Sequence, residues 1–233
     1  MNVFSIAIQL FVVLFAITIH EAAHGWAAYR LGDPTAHNLG RVSLNPIVHI
    51  DPIFTILVPI LLALAGMPPF GAAKPVPVNP YNLRNPRRDN IWISLAGPAA
   101  NGLAALGAFL ILIFLKLVHP GVARFLMVLT RQFFKSPDVL RAALPKGLFP
   151  FEGLALVLYF VVLINIYLAV FNLIPVPPLD GSGILMGVLP DRLADRYERL
   201  RPYGFFIVMA LVLMGVLSMI VAPIEIFIDV ILG

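Results

Sequence analysis

Four stretches of this 233-residue chain are long and apolar enough to span a lipid bilayer, and that decides what it can fold into. A crossing helix needs about 20 apolar residues. Val3–Ala28, Asn90–Val118, Leu154–Ile174 and Tyr203–Leu232 each meet that length. Hydrophobic residues make up 60% of the chain and charged ones 12%, where a soluble domain carries about 25% charged residues. Such a chain lacks the polar surface to cover a globule and is too apolar to stay disordered. The expected fold is an all-α polytopic membrane protein, a single integral-membrane domain over residues 1–233 with about four to six transmembrane helices.

The connections carry their own signals. Ile53–Ala65 is apolar but short, holds Pro59 and lies between Pro52 and Pro68-Pro69. It is expected to be a re-entrant or partly inserted segment after the first span. Lys74–Pro80 alternates like an extended edge strand in which proline blocks a normal ladder. His119–Phe151 spaces basic residues among Leu, Phe and Val, the pattern of an interfacial helix. Asp191–Arg201 is strongly charged and reads as a surface helix. No internal repeat and no insertion large enough for a second, soluble domain is found.

Several functions drop out at this point. Cysteine is absent, which excludes disulfides, zinc fingers, iron–sulfur clusters and a cysteine nucleophile. The net charge is +4, but the basic residues sit in short runs between apolar segments, as membrane loops do, so no nucleic-acid partner is expected. No cleavable signal peptide is expected, because the first apolar stretch runs into polar chemistry and not into a small-residue cleavage site.

That polar chemistry is His20-Glu21-Ala22-Ala23-His24, an H-E-x-x-H pattern inside the first apolar run. At about 100° per residue the two imidazoles lie roughly 40° apart on one helix face. One zinc ion can be held between them, with Glu21 on the same side as a general base. Chance gives about 0.002 such patterns in a chain of this composition. Ionisable groups inside an apolar span are costly, which makes them functional candidates. The plain alternative is a polar set hydrogen-bonded between helices.

Zinc needs a third protein ligand. The best candidate is Asp180, in Asn172-Leu173-Ile174-Pro175-Val176-Pro177-Pro178-Leu179-Asp180-Gly181. The prolines forbid regular helix and leave backbone groups that are tolerated only inside protein or beside a wet cavity. The alternative is that Asp180 caps the helix that follows. His37, His49 and Asp51 lie in the loop after the first span, where polar surface or support of a ligand is the simpler role. Arg84, Arg87 and Arg88 read as a basic anchor to anionic lipid.

These residues carry a resemblance. H-E-x-x-H in a first core helix and N-x-x-P-x-x-x-x-D-G in a later one are similar to the site-2 protease family, the intramembrane zinc metalloproteases. Gly97-Pro98-Ala99-Ala100-Asn101 resembles that family's G-P-x-x-N signature. The resemblance implies one zinc per chain held by His20, His24 and Asp180, with Glu21 as catalytic base. It implies that Asn172 contacts substrate or the oxyanion, to which Asn101 is a further candidate donor. Many members carry a PDZ domain between the second and third core helices. His119–Phe151 is too short for one, which points to the compact, PDZ-free branch.

The implied activity is hydrolysis of a peptide bond within or near a transmembrane segment of a membrane protein, in the bilayer of a bacterial or archaeal plasma membrane. The unwound substrate is expected to pair with Lys74–Pro80 at Val76 and Val78. His24 and Asp180 meet at one depth only if Ile53–Ala65 is re-entrant. Ten of the 16 Lys and Arg then fall on the metal side, so the active site is expected to face the cytoplasm and the N-terminus to lie outside. Two other classes use the same ligands: a metal transporter, which has no use for Glu21 as a base, and a catalytically inactive membrane scaffold.

Overall fold

Inside a bilayer no water bonds the backbone, so an apolar run must close its own hydrogen bonds as a helix. The computed structural model describes residues 3–58, 61, 73–133 and 150–233. Among them no strand occurs. The longer helices are α1 (Val3–Arg30), α2 (Pro86–Val118), α3 (Pro120–Phe133), α4 (Pro150–Leu173), α5 (Asp180–Val188), α6 (Asp191–Glu198), α7 (Gly204–Leu213) and α8 (Val216–Leu232). Among the described residues three helices, in α1, α2 and α4, are long and apolar enough to cross a membrane, and the bent pair ending in α7 and α8 makes up to four. The protein is all-α and polytopic. Large apolar side chains such as Leu110, Phe114 and Leu117 on α2 are exposed, as lipid-facing residues are.

The last expected span, Tyr203–Leu232, is not one helix. The two halves, ending at Leu213 and starting at Val216, are bent by 52°. Between them Gly215 takes φ 70°, a left-handed conformation that a Cβ disfavours. The expected re-entrant stretch Ile53–Ala65 is described only in part. Pro52–Leu57 winds as a wide helical turn, while residues 59, 60 and 62–65 lie outside the described residues, and the expectation of re-entry with them. Of the expected interfacial helix, α3 is described and residues 134–149 are not. The His119 ring accepts from Val122 N at 3.3 Å and so caps the start of α3.

The chain forms two compact units. One comprises residues 1–13, 101–171 and 208–233. Its core packs Leu112 and Leu115 of α2, Leu126 and Leu129 of α3, Leu156 and Tyr159 of α4 and Ile228 of α8. Lipid tails are as apolar as these side chains, so packing and buried polar bonds hold such helices together. Asn101 and Asn165, both fully buried, supply one: Asn101 Nδ2 donates to Asn165 Oδ1 at 2.7 Å. Tyr167 donates to Glu225 Oε1 at 2.6 Å.

The other unit comprises residues 14–100 and 172–207. A small apolar cluster of Ala27, Ala28, Leu83 and Ile93 joins the end of α1 to the start of α2, with Val78 packed against it. The loop after α1 is held by a buried carboxylate. Asp33 Oδ2 accepts from Asn79 N at 2.7 Å, and Oδ1 accepts from Asn82 Nδ2 at 2.8 Å. Burial alone would push the Asp33 carboxyl up. Hydrogen bonds from Asn82, Thr35 and Asn79 outweigh it and hold the carboxyl below its usual range.

The asparagine pair generates an expectation. Asn101→Leu or Asn165→Leu alone strands a buried amide and is expected to cost about 1–3 kcal/mol. The double substitution is expected to recover more than half of the summed cost, read as a thermal-unfolding double-mutant cycle in detergent.

Candidate metal centre

The H-E-x-x-H stretch lies in the regular part of α1, so its two imidazoles project from successive turns of one face. Their rings meet edge to face with centroids 4.7 Å apart. His20 and His24 are buried, 5% and 8% exposed. The third group arrives from a different kind of element. After α4 the prolines of Ile174–Leu179 prevent helix, and the chain turns through Val176 N donating to Ile174 O at 2.8 Å and Leu179 N donating to Val176 O at 2.9 Å. The Tyr197 hydroxyl of α6 donates to Pro175 O at 2.8 Å and holds this turn. Asp180 then opens α5, where the helix dipole favours a carboxylate.

The turn brings Asp180 Oδ2 to 3.0 Å from His20 Nε2 and 3.3 Å from His24 Nε2. The three ligand atoms lie within 4.8 Å of one another, and among the described residues no other cluster of His, Asp and Glu does so. Asp180 Oδ2 is buried yet meets no donor in hydrogen-bonding geometry. A buried carboxylate oxygen left in that condition is expensive, and a cation between it and the imidazoles removes the cost. Two neutral nitrogens and one carboxylate oxygen are also a donor set that suits zinc. The residues present therefore fit the metal.

The imidazoles are held for that task. His24 Nδ1 lies 2.6 Å from the Ile93 carbonyl oxygen of α2. A carbonyl only accepts, so the proton sits on Nδ1 and the Nε2 lone pair is left for a metal. Gly97, one turn further along α2, lies against both rings. A Cβ there would come 2.5 Å from His24 Nε2 and 2.7 Å from His20 Nε2. The first residue of the Gly97–Asn101 motif is thus a glycine for close approach.

The other expected site residues fall in different places. Glu21 is half-buried on α1 between the two histidines. Asn172 is half-buried in the last turn of α4 and belongs to the same compact unit as His20, His24 and Asp180. Asn101 is fully buried in the other unit, where its amide is given to Asn165. Val76 lies beside the metal helix: a Cβ on Gly25 would meet Val42 Cγ2 at 3.0 Å and Val76 Cγ1 at 3.6 Å. Residues 73–79 form neither helix nor strand; Asn79 has extended backbone, and the residues that precede Pro75, Pro77 and Pro80 are biased toward it. His37 is exposed and stacks on Tyr29 with centroids 4.5 Å apart. His49 is 1% exposed, and its Nε2 lies 2.9 Å from Ser43 O. A groove of about 340 Å³ runs along α1 past Ile19, Ala22, Ala23 and Trp26, walled by Val42–Leu44.

Sequence reasoning missed the Ile93 carbonyl, which no side chain announces, and the part played by Gly97, which needs α2 laid against α1. It also missed Asp33 and Arg41. Their only signal is a charge in a loop, which is ordinarily solvated.

The family model described as Peptidase family M50 matches residues 8–215. The Bacillus subtilis protein named "Putative zinc metalloprotease YwhC" is 34% identical over 199 residues, covering 85% of this chain and 77% of its own. A protein of Mycolicibacterium smegmatis named Rip2, under the same description, is 29% identical over 206 residues, 88% of this chain and 66% of its own. Rip2 of Mycobacterium tuberculosis is 30% identical over 173 residues, and this chain spans 53% of its length. No solved structure matches the chain.

Zinc is expected at about one per chain, lost in His24→Ala and Asp180→Ala and weakened about tenfold or more in Gly97→Ala. Metal analysis of purified protein under graded chelator reads all three. Full zinc retained in Asp180→Ala would remove that residue from the ligand set.

Proposed function

The chain belongs to peptidase family M50 and is a zinc metalloprotease with a multi-pass, membrane-embedded fold; from that premise we propose that it hydrolyses a peptide bond within or beside a transmembrane segment of a membrane protein. One observation carries the reading. Two imidazoles on an apolar helix converge with a carboxylate whose buried oxygen meets no donor. The ligands in this reading are His20, His24 and Asp180.

When bound, zinc supplies Lewis acidity, polarising a carbonyl oxygen and bringing the pKa of a water toward about 7. The protein does the rest. Glu21 takes a proton from the attacking water and returns it to the leaving amine. Ile93 O and Gly97 keep the imidazoles in place, so the donor geometry needs no rearrangement during the reaction. Asn172 donates to the carbonyl oxygen as charge develops on it. Asn101 is given no part in this reading: it is fully buried and donates to Asn165.

A helical substrate hides its carbonyls in its own hydrogen bonds, so it must unwind to be cut. The extended Lys74–Asn79 segment is the proposed partner of the unwound chain, pairing at Val76 and Val78. The ten Lys and Arg counted on the metal side put the active site toward the cytoplasm in this reading.

Glu21→Gln tests the function. With a designed single-span peptide carrying a central Gly-Pro break in vesicles, cleavage is expected to fall about 10²–10⁴-fold, with zinc content unchanged. Equal cleavage in the variant would sink the proteolysis reading. Glu21-independent uptake of zinc into sealed vesicles would favour a transporter.

A further inference from the structure

Two charged side chains of the loop after α1 are buried, and among the described residues neither has an ionic partner. Asp33 is 0% and Arg41 6% exposed. Both spend their hydrogen bonds largely on one segment. Asp33 Oδ2 accepts from Asn79 N at 2.7 Å, and Oδ1 accepts from Asn82 Nδ2 at 2.8 Å and from Thr35 Oγ1 at 2.5 Å. Arg41 Nη2 donates to Lys74 O at 2.8 Å and to Pro75 O at 3.1 Å, and its Nη1 donates to Val48 O. Lys74 N in turn donates to His49 O at 2.9 Å. Burying a lone charge is costly, and a plain loop would be served as well by apolar residues. Here each charge grips one end of the same extended stretch.

The stretch between the grips holds Val76 and Val78. Val76 lies against Gly25, the residue after His24, and Val78 packs on the cluster that contains Ala27 and Ala28 of α1. Pro75 and Pro77 have no N–H, so the edge they face offers no donor. With the backbone extended, as proline biases the residue before it to be, Val76 and Val78 share the opposite edge, each with an N–H and a C=O. An extended segment with one competent edge pairs in a register set by where it is anchored.

We infer that Asp33 and Arg41 are positioning residues for proteolysis, holding Val76–Val78 at a fixed height along the metal helix and so selecting the substrate bond presented to His20 and His24. The inference rests on the proposed proteolysis and adds what determines its register. Side chains alternate along a strand, so a slip of two residues keeps the same face and is the cheapest error. It moves the substrate by roughly 6.6 Å, enough to present a different bond.

The test uses the full-length protein in vesicles and the same Gly-Pro single-span peptide, with products read by mass spectrometry. Arg41→Met and Asp33→Asn are expected to raise KM at least about fivefold with kcat changed less than about twofold. A second product displaced by two residues is expected, with one zinc per chain retained. Arg41→Lys, which still reaches a carbonyl, is expected to restore the single product. An unchanged KM with one product, or loss of zinc and kcat together without rescue by Arg41→Lys, overturns the inference.

Docking is read separately, so that failure of the proteolysis reading is distinguishable. The chain has no cysteine, so Val78→Cys in a Glu21→Gln background reports one position. Disulfide capture of peptides carrying a cysteine at successive positions is expected to peak at one position. Adding Arg41→Met is expected to split that peak by two residues. An identical capture profile overturns the inference whether or not the peptide is cut.

Discussion

A carboxylate oxygen and two imidazole nitrogens lie within 4.8 Å of one another in apolar surroundings, and the unit around them is arranged to keep them there. In water such a trio would be hydrated and would drift apart. In a bilayer, leaving any of the three groups unsatisfied is costly, which makes the convergence worth holding. The holding is visible in the neighbours. The Ile93 carbonyl accepts a hydrogen bond from His24 Nδ1, and Gly97 leaves out the side chain that would push both rings away. The proline turn of Ile174–Leu179 ends α4 so that a carboxylate can approach from the start of a new helix.

The same economy explains why polar connections are so heavily bonded in an apolar protein. Asp33 gathers donors from Thr35, Asn79 and Asn82, and Arg41 gathers three carbonyls. Neither is a surface ion pair of the sort that contributes little. Each buried charge is satisfied by directed bonds, and the segment that they bracket is tied at both ends. The charged helix α6 works differently. It is exposed on most of its length, and Tyr197 is the residue that ties it to the turn before Asp180.

The other compact unit shows what holds helices when apolar burial gives no advantage over lipid. Its core is a stack of Leu, Val, Ile and Phe, with Asn101 and Asn165 bonded inside it. Asn101 sits in a motif that sequence reasoning linked to the reaction, while the structure gives its amide to a packing partner. The two ends of Gly97–Asn101 therefore have different physical roles. Gly97 makes room for the His20 and His24 rings, and Asn101 makes a buried hydrogen bond one turn later on the same helix.

Much of this was legible in the residues. Spans were readable because a bilayer demands long uninterrupted apolar runs, and the structure answers with α1, α2 and α4 at those places. The break in Tyr203–Leu232 was not, because a single glycine in an apolar run gives no sign of whether it will take φ 70°. The closeness of His20 and His24 could be read because they are local: one helical turn relates them whatever else the chain does. Asp180 could be nominated but not brought to the histidines, since 156 positions of chain separate it from His24 and only the turn after α4 sets its direction. The Ile93 carbonyl, the space at Gly97 and the grips of Asp33 and Arg41 left no trace in composition or period. The sequence by itself determined the helical membrane class, the chemistry of the donors and the zinc they suit, because those follow from residue types and local spacing. Tertiary structure alone decided which lone pair of His24 is free, which groups stand beside it and how the extended segment is anchored, because each depends on distant backbone meeting across a packed interior.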